Sequence, residues 1–258
     1  MTCLSGCLIP CGGALAMGEP AADAVVSLRM SDGGEASFPL RQVRGRQVAA
    51  AVPWRKARSA RGQVHYPGYY WSATTGAHAI YESRLELARL LLADFDPGVT
   101  AIAAQPFLLQ ARPDGRARRH VPDFLLVHAD EPARVVNVKP PGKLAEPRIA
   151  EALAWPGQLI EAHGWQYEIW SGADPVLLAN LRFLAGYRRP GLLPGGLLDD
   201  VLAAVSPGGA IGGAISRVSG ERRPGEVKAA VLRLLWQQRL RTDLSSRLDA
   251  GSTLEVTP

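Results

Sequence analysis

Between His120 and Lys139 the chain reads His-Val-Pro-Asp-Phe-Leu-Leu-Val-His, then a polar turn containing Asp130, Glu131 and Pro132, then Arg-Val-Val-Asn-Val-Lys. The apolar runs 124–127 and 135–138 are separated by a short polar connection, which is the pattern of two paired antiparallel strands. Pro122-Asp123 begins the first run and Lys139-Pro140 ends the second. Antiparallel pairing lays the start of one strand beside the end of the next. Asp123 and Lys139 are therefore expected side by side at one edge of a sheet, with Asn137 close to both. A carboxylate, an amide carbonyl and a lysine in that arrangement can hold a divalent cation and a water molecule. Magnesium takes oxygen ligands and needs few protein groups, while a lysine orients water and offsets phosphate charge.

A second carboxylate must come from elsewhere, because Asn137 carries no charge. Glu82 and Glu86 lie four residues apart on a helix expected over 79–93, whose apolar stripe is Tyr81, Leu85, Ala88 and Leu92. Like charges at that spacing destabilise a helix by roughly 0.2–0.5 kcal/mol. A bound cation would relieve this, and so would Arg89, three residues after Glu86. Spacing alone does not choose between the two glutamates.

The elements that must position these residues follow in order. Asp96-Pro97-Gly98 ends the helix. A strand over 101–111 is interrupted at Gln105-Pro106, and strands over 119–128 and 134–139 come next. A helix over 146–162 carries Pro147 in its first turn and a kink at Pro156-Gly157, and a strand over 165–170 follows. Helix, three strands, helix, strand calls for a layered α/β core. A further helix spans 177–187, and Arg188–Gly191 marks a boundary. Beyond it, helices over 197–205, 211–218 and 224–240 with a strand near 254–256 form a winged-helix pattern. That unit has eight basic residues against seven acidic, which favours a protein partner over DNA.

A chain of 258 residues has room for one large or two modest domains. No stretch reaches the roughly 18 apolar residues that span a bilayer, so no membrane partner is expected. The net charge of +5 is concentrated toward the start: residues 1–77 hold eight Lys/Arg against four Asp/Glu, whereas 78–190 hold thirteen of each. Arg41, Arg44, Arg46, Arg55, Lys56, Arg58 and Arg61 run without an intervening acid, which suits a polyanion as well as a solvated loop. With Arg116, Arg118 and Arg119 they are the candidate phosphate contacts. Trp54, Tyr66, Tyr69, Tyr70 and Trp71 could stack on bases or cover the edge of the core. Residues 24–52 read as a small N-terminal appendage with strands at 25–28 and 48–52.

Cys3, Cys7 and Cys11 have no histidine nearby and make a poor zinc site; with no other cysteine in the chain, a reducing, cytoplasmic setting is expected. Residues 1–20 read as disordered, or as lying upstream of a true start at Met17 or Met30. His120 and His128 read first as surface histidines and second as phosphate contacts. The glycine pairs 195–196 and 208–209 lack a following Lys-Ser/Thr, so no nucleotide-binding loop is expected.

Pro-Asp, a spacer and then X-X-Lys resembles the signature of restriction-endonuclease-like nucleases, with Asn137 standing where the middle acid would be. Six ordered blocks extend the resemblance: Tyr-Tyr-Trp-Ser-Ala-Thr-Thr-Gly (69–76), Tyr-Glu-Ser-Arg-Leu-Glu-Leu (81–87), Asp-Phe-Asp-Pro-Gly-Val (94–99), Gln-Pro-Phe (105–107), Arg-Arg-His-Val-Pro-Asp-Phe (118–124) and Val-Asn-Val-Lys-Pro (136–140). Together, over about 65–190, they resemble the TnsA-like endonuclease subunit of heteromeric transposases.

This resemblance implies a restriction-endonuclease-like α/β core, a mixed sheet flanked by helices, over 65–190. A basic, partly disordered segment over 1–64 precedes it, and a small winged-helix-like domain over 191–258 follows. It selects Glu86 over Glu82, and implies a catalytic set of Glu86, Asp123 and Lys139. Glu86, Asp123 and the Val138 carbonyl would hold Mg²⁺, for which Mn²⁺ substitutes, with Asn137 and Glu82 in support. The implied activity is cleavage at the 5′ ends of transposon DNA, beside a DDE transposase subunit that handles the 3′ ends, with the C-terminal domain contacting an ATPase regulator. Two rival readings remain: a standalone restriction-like nuclease (a resolvase or defence enzyme), and a catalytically silent DNA-binding or scaffold subunit whose site has decayed at Asn137.

Overall fold

The computed structural model describes residues 23–55, 67–190, 193–220 and 222–257. The three cysteines, Lys56, Arg58, Arg61 and Tyr66 lie outside them. The architecture is mixed α/β, in two compact units.

The N-terminal unit runs to Gly172, without Phe95–Pro97. Its elements are β1 (Val25–Arg29), β2 (Glu35–Pro39), α1 (Gly45–Ala49), β3 (Gly68–Trp71), β4 (His78–Tyr81), α2 (Arg84–Phe95), β5 (Val99–Ala104), β6 (Leu108–Ala111), β7 (Arg118–His120), β8 (Phe124–His128), β9 (Arg134–Val138), α3 (Pro141–Leu144), α4 (Pro147–Ala162) and β10 (Gln166–Trp170). Two four-stranded sheets carry the unit, ordered β10-β9-β8-β5 and β2-β1-β6-β7. In the first, β8 is antiparallel to both β5 and β9, and β10 is parallel to β9. All five residues of β8 are buried, as a strand covered on both faces requires. Val26, Leu28 and Leu109 from one sheet share a core with Leu125, Val127 and Val135 from the other, and with Leu159 and Ile160 of α4.

Two expected strands each divide in two. The segment 101–111 becomes β5 and β6, and 119–128 becomes β7 and β8, with each half in a different sheet. Pro106 and Pro122 sit at the divisions. Proline has no N–H for a ladder, so the chain leaves one sheet there and enters the other. The two crossings lie against each other: the Gln105 N–H donates to the Asp123 carbonyl at 2.8 Å.

Residues 24–52 are no appendage. β1 pairs with β6 as well as β2, placing it inside the second sheet. It also lies upstream of Met30, so a start at Met30 would delete an interior strand. The strand expected at 48–52 is absent: α1 ends at Ala49, and Val52 makes only an isolated bridge to Arg29.

The helix expected from residue 79 begins at Arg84, because 78–81 pairs with 68–71 as a hairpin. Thr74-Thr75-Gly76 is the turn of that hairpin, with Gly76 at a φ of 63°. The turn is bound to α2 by Asp94, whose carboxylate accepts hydrogen bonds from the Tyr70 and Ser72 hydroxyls and from the Ala73 and Thr74 N–H groups, at 2.7–3.0 Å. Tyr70 is therefore interior, and Tyr69 is 66% exposed. The buried positions of α2 are Ala88, Arg89, Leu90, Leu91, Ala93 and Asp94, while Tyr81 and Leu85 of the expected stripe are only half-buried.

Arg89 does not neutralise Glu86. It makes a two-pronged pair with Glu168 of β10, both bonds at 2.9 Å, and its side chain is 8% exposed. Glu168→Ala strands that guanidinium in the interior, and is expected to lower the unfolding free energy by about 3–5 kcal/mol. A loss of less than a third of that, measured by urea unfolding, would show that water reaches the stranded guanidinium and replaces the lost partner.

The second unit comprises Phe95–Pro97 and Ala173–Pro258. It contains α5 (Pro175–Leu184), α6 (Leu197–Ala204), α7 (Ile211–Val218), α8 (Pro224–Trp236), β11 (Leu240–Arg241) and β12 (Glu255–Val256). Compactness divides the chain at Gly172 rather than near residue 190, so α5 goes with the C-terminal helices. Asn180 of α5 donates to the Leu244 and Ser246 carbonyls and fixes the segment after β11. α6, α7 and α8 pack on one another around Val227, Val231 and Leu234. α8 stops at Trp236, short of residue 240, and Gln238 follows at a φ of 55°. β11 and β12 pair antiparallel, Leu240 against Val256. Among the described residues no helix is long and apolar enough to cross a membrane.

Candidate active site

The β8/β9 register pairs Phe124 with Val136. Asp123 extends that ladder by one bond, its N–H donating to the Val136 carbonyl at 3.1 Å. The Asp123 carboxylate thus points across to the end of β9, where Oδ2 accepts the Val138 N–H at 2.6 Å. The Lys139 N–H is held by the Trp170 carbonyl at 3.0 Å, and its Nζ lies 3.8 Å from Asp123 Oδ2. The juxtaposition expected from the two apolar runs is present, at the ends of interior strands. Asp123 Oδ1 accepts no hydrogen bond among the described residues.

Glu86 reaches the same place from the first turn of α2. Ser83 caps the helix, its Oγ accepting the Glu86 N–H at 3.1 Å, and the Glu86 carboxylate folds back onto the Ser83 hydroxyl (3.1 Å) and the Glu82 N–H (2.7 Å). This is a capping box displaced by one residue, and it fixes the carboxylate before any ligand arrives. Glu86, Asp123, Val138 and Lys139 all line one cleft of about 1290 Å³, together with Glu82 and Asn137.

The electrostatics of the cleft follow from burial. Desolvation, with a smaller push from the negative charge of Asp123, raises Glu86 to about 7 against the opposing hydrogen bond from the Glu82 N–H. Asp123 is also raised, mainly by burial, although Lys139 and the Val138 N–H pull it down. Two acids are thus buried together, and burial makes the charged form of each less favourable than in water.

His120 also lines the cleft. Burial lowers it to about 4, so the ring is neutral at pH 7. It packs edge-on against Trp155 and lies 2.8 Å through Nε2 from Asn137 Oδ1. His120 is therefore not a free surface histidine, and the Asn137 carbonyl is not free either. Asn137 is 1% exposed, and its Nδ2 has no hydrogen-bond partner among the described residues.

The basic candidates separate. Arg55 and Arg119 line the cleft. So does Arg29, which covers the ring of Trp54 at 4.8 Å. Arg118 is instead held by Asp114 at 2.6 Å and Glu151 at 2.7 Å, and those carboxylates leave it little freedom to meet a phosphate. Arg116 sits in the adjacent turn, its N–H bonded to Asp114, and is not part of the cleft wall.

One residue behind the cleft was legible as a strand interruption and as part of the Gln-Pro-Phe block, but not as a site residue. Gln105 is 5% exposed and has a φ of 45°, a left-handed conformation that costs a non-glycine residue on the order of 1–3 kcal/mol. Its Nε2 donates to Glu82 Oε1 at 2.9 Å, and its Oε1 accepts the Arg55 N–H at 3.0 Å. The following proline was a signal of irregularity. The contacts required the tertiary fold.

Among the described residues no group of three or more His, Cys, Asp and Glu is arranged to enclose a metal ion. The set that does converge is two carboxylates, one with an oxygen that accepts no hydrogen bond among the described residues, beside a main-chain segment. Hard oxygen donors, few in number and short of positive charge, suit a cation such as Mg²⁺ that keeps much of its water.

No family model and no curated protein sequence matches the chain.

Proposed function

We propose that this chain is a Mg²⁺-dependent DNA endonuclease with a restriction-endonuclease-like core and a winged-helix-like C-terminal unit, acting as the TnsA-like subunit of a heteromeric transposase. The observation that carries the reading is the Asp123–Lys139 pair, 3.8 Å apart, in one cleft with Glu86. Glu86 and Asp123 would hold the ion, with the Val138 carbonyl as a further oxygen. Bound there, Mg²⁺ would neutralise charge on a phosphodiester and favour ionisation of an attacking water. Lys139 Nζ orients that water and balances the added phosphate charge. Arg55, Arg119 and Lys143 supply a cationic lining for the DNA backbone. The cleavage partner would be a DDE transposase, and the C-terminal unit would meet an ATPase regulator.

The test is cleavage of duplexes carrying transposon ends, labelled on each 5′ strand, with Mg²⁺, with and without the DDE partner. Cutting of the 5′ strand only in the partner's presence supports the subunit reading. Equal cutting without it supports a standalone nuclease. Asn137, already committed to His120, favours the silent-subunit reading, which requires DNA binding without any metal-dependent cleavage in either mixture.

A further inference from the structure

We propose that Gln105 is a positioning residue that sets the geometry of the acidic and cationic walls of the cleft; this rests on the nuclease reading above. Four hydrogen bonds converge on it from three segments distant in sequence. Its N–H donates to the Asp123 carbonyl at 2.8 Å, and its carbonyl accepts the Trp54 N–H at 2.9 Å. Its side-chain oxygen accepts the Arg55 N–H at 3.0 Å, and its side-chain nitrogen donates to Glu82 Oε1 at 2.9 Å. The amide faces a donor with its oxygen and a carboxylate with its nitrogen, so its orientation is fixed by its neighbours.

The consequences reach the reacting groups through two short paths. Glu82, held by the amide, uses its own N–H to hold Glu86 Oε2 at 2.7 Å. Arg55, held by the same amide, keeps its guanidinium 3.9 Å from Glu82 and on the cleft wall. Gln105 itself does not line the cleft. Its left-handed φ of 45° is what turns the chain from β5 toward β6 and brings the side chain between Arg55 and Glu82. A glycine would adopt that backbone without strain, yet glycine cannot reach Arg55 or Glu82. That a glutamine stands here points to a role for the amide beyond forming the turn.

This contrast gives the experiment. Wild type, Gln105→Gly and Gln105→Met are compared by thermal melting, by the Mn²⁺ concentration that gives half of the melting shift, and by rate of cleavage of transposon-end duplexes with the DDE partner present. Gln105→Gly relieves the backbone and should melt within a few degrees of wild type. Gln105→Met keeps the length of the side chain but not its bonds. Both should cleave about 10- to 100-fold more slowly, and both should need about tenfold more Mn²⁺. A folded Gln105→Gly that matches wild type within twofold in cleavage and Mn²⁺ response overturns the positioning role while leaving the nuclease reading in place. A wild type that neither cleaves nor responds to Mn²⁺ overturns both.

Discussion

Asp123→Asn should lower the rate of DNA cleavage by about a thousandfold or more without lowering the melting temperature. Asparagine keeps an oxygen for the Val138 N–H at 2.6 Å, so the strand ends stay joined. It removes a negative charge that burial opposes, which offsets the loss of the Lys139 ion pair. Catalysis loses a charged oxygen for the cation and the counter-charge that holds Lys139. Lys139→Ala should lower the rate by a similar order for a different reason. The ammonium 3.8 Å from Asp123 is lost, and Asp123, which Lys139 now pulls down, rises further. Lys139→Arg keeps the charge but not the compact donor and should recover only part of the rate. Single-turnover cleavage measured beside thermal melts decides the matter. A folded Asp123→Asn within tenfold of wild type would place the chemistry elsewhere.

The second large effect is on stability against pH. Burial raises Glu86 in the folded protein from 4.5 to about 7. The folded state therefore holds this proton more tightly than the unfolded chain does. The stabilisation is fully present below about pH 4.5 and is lost as pH rises through about 7, with a full span of at most about 3 kcal/mol. Asp123, also raised, acts in the same direction. His120 and His163, both lowered by burial, act in the opposite one, gaining stability as pH rises toward 6.5. The Glu86 effect is consequently best seen between about pH 6.5 and 8, where roughly 1 kcal/mol should be lost in metal-free buffer. Glu86→Gln should flatten that slope. Mn²⁺ should restore stability at pH 8 and do less at pH 6, because the cation must displace the proton. Calorimetric titration of Mn²⁺ near pH 7 in two buffers of different ionisation heat should show proton release. A slope unchanged in Glu86→Gln would remove Glu86 from the titrating site.

By itself the sequence determined the local alphabet of this protein. The runs 124–127 and 135–138 could only pair as a hairpin of buried strands, and that pairing brings Asp123 to Lys139. Pro147 marked the first turn of α4, and α7 was readable to the residue. These features depend on neighbours a few positions apart. What only the tertiary structure decided depends on residues brought together from afar. β1 joins β6 across 80 residues of chain, so a segment that looked like an appendage became an interior strand carrying Arg29 to the cleft. Arg89, which spacing assigned to Glu86, is bound by Glu168 of β10, because a guanidinium buried there needs a carboxylate within reach. Asp94 turned an expected helix start into a hairpin by satisfying four donors at once. Gln105 and His120 acquired their places in the site only when the two sheet crossings at Pro106 and Pro122 were laid against each other. Hydrogen bonds between segments so distant leave no periodicity in the chain, and only packing selects them.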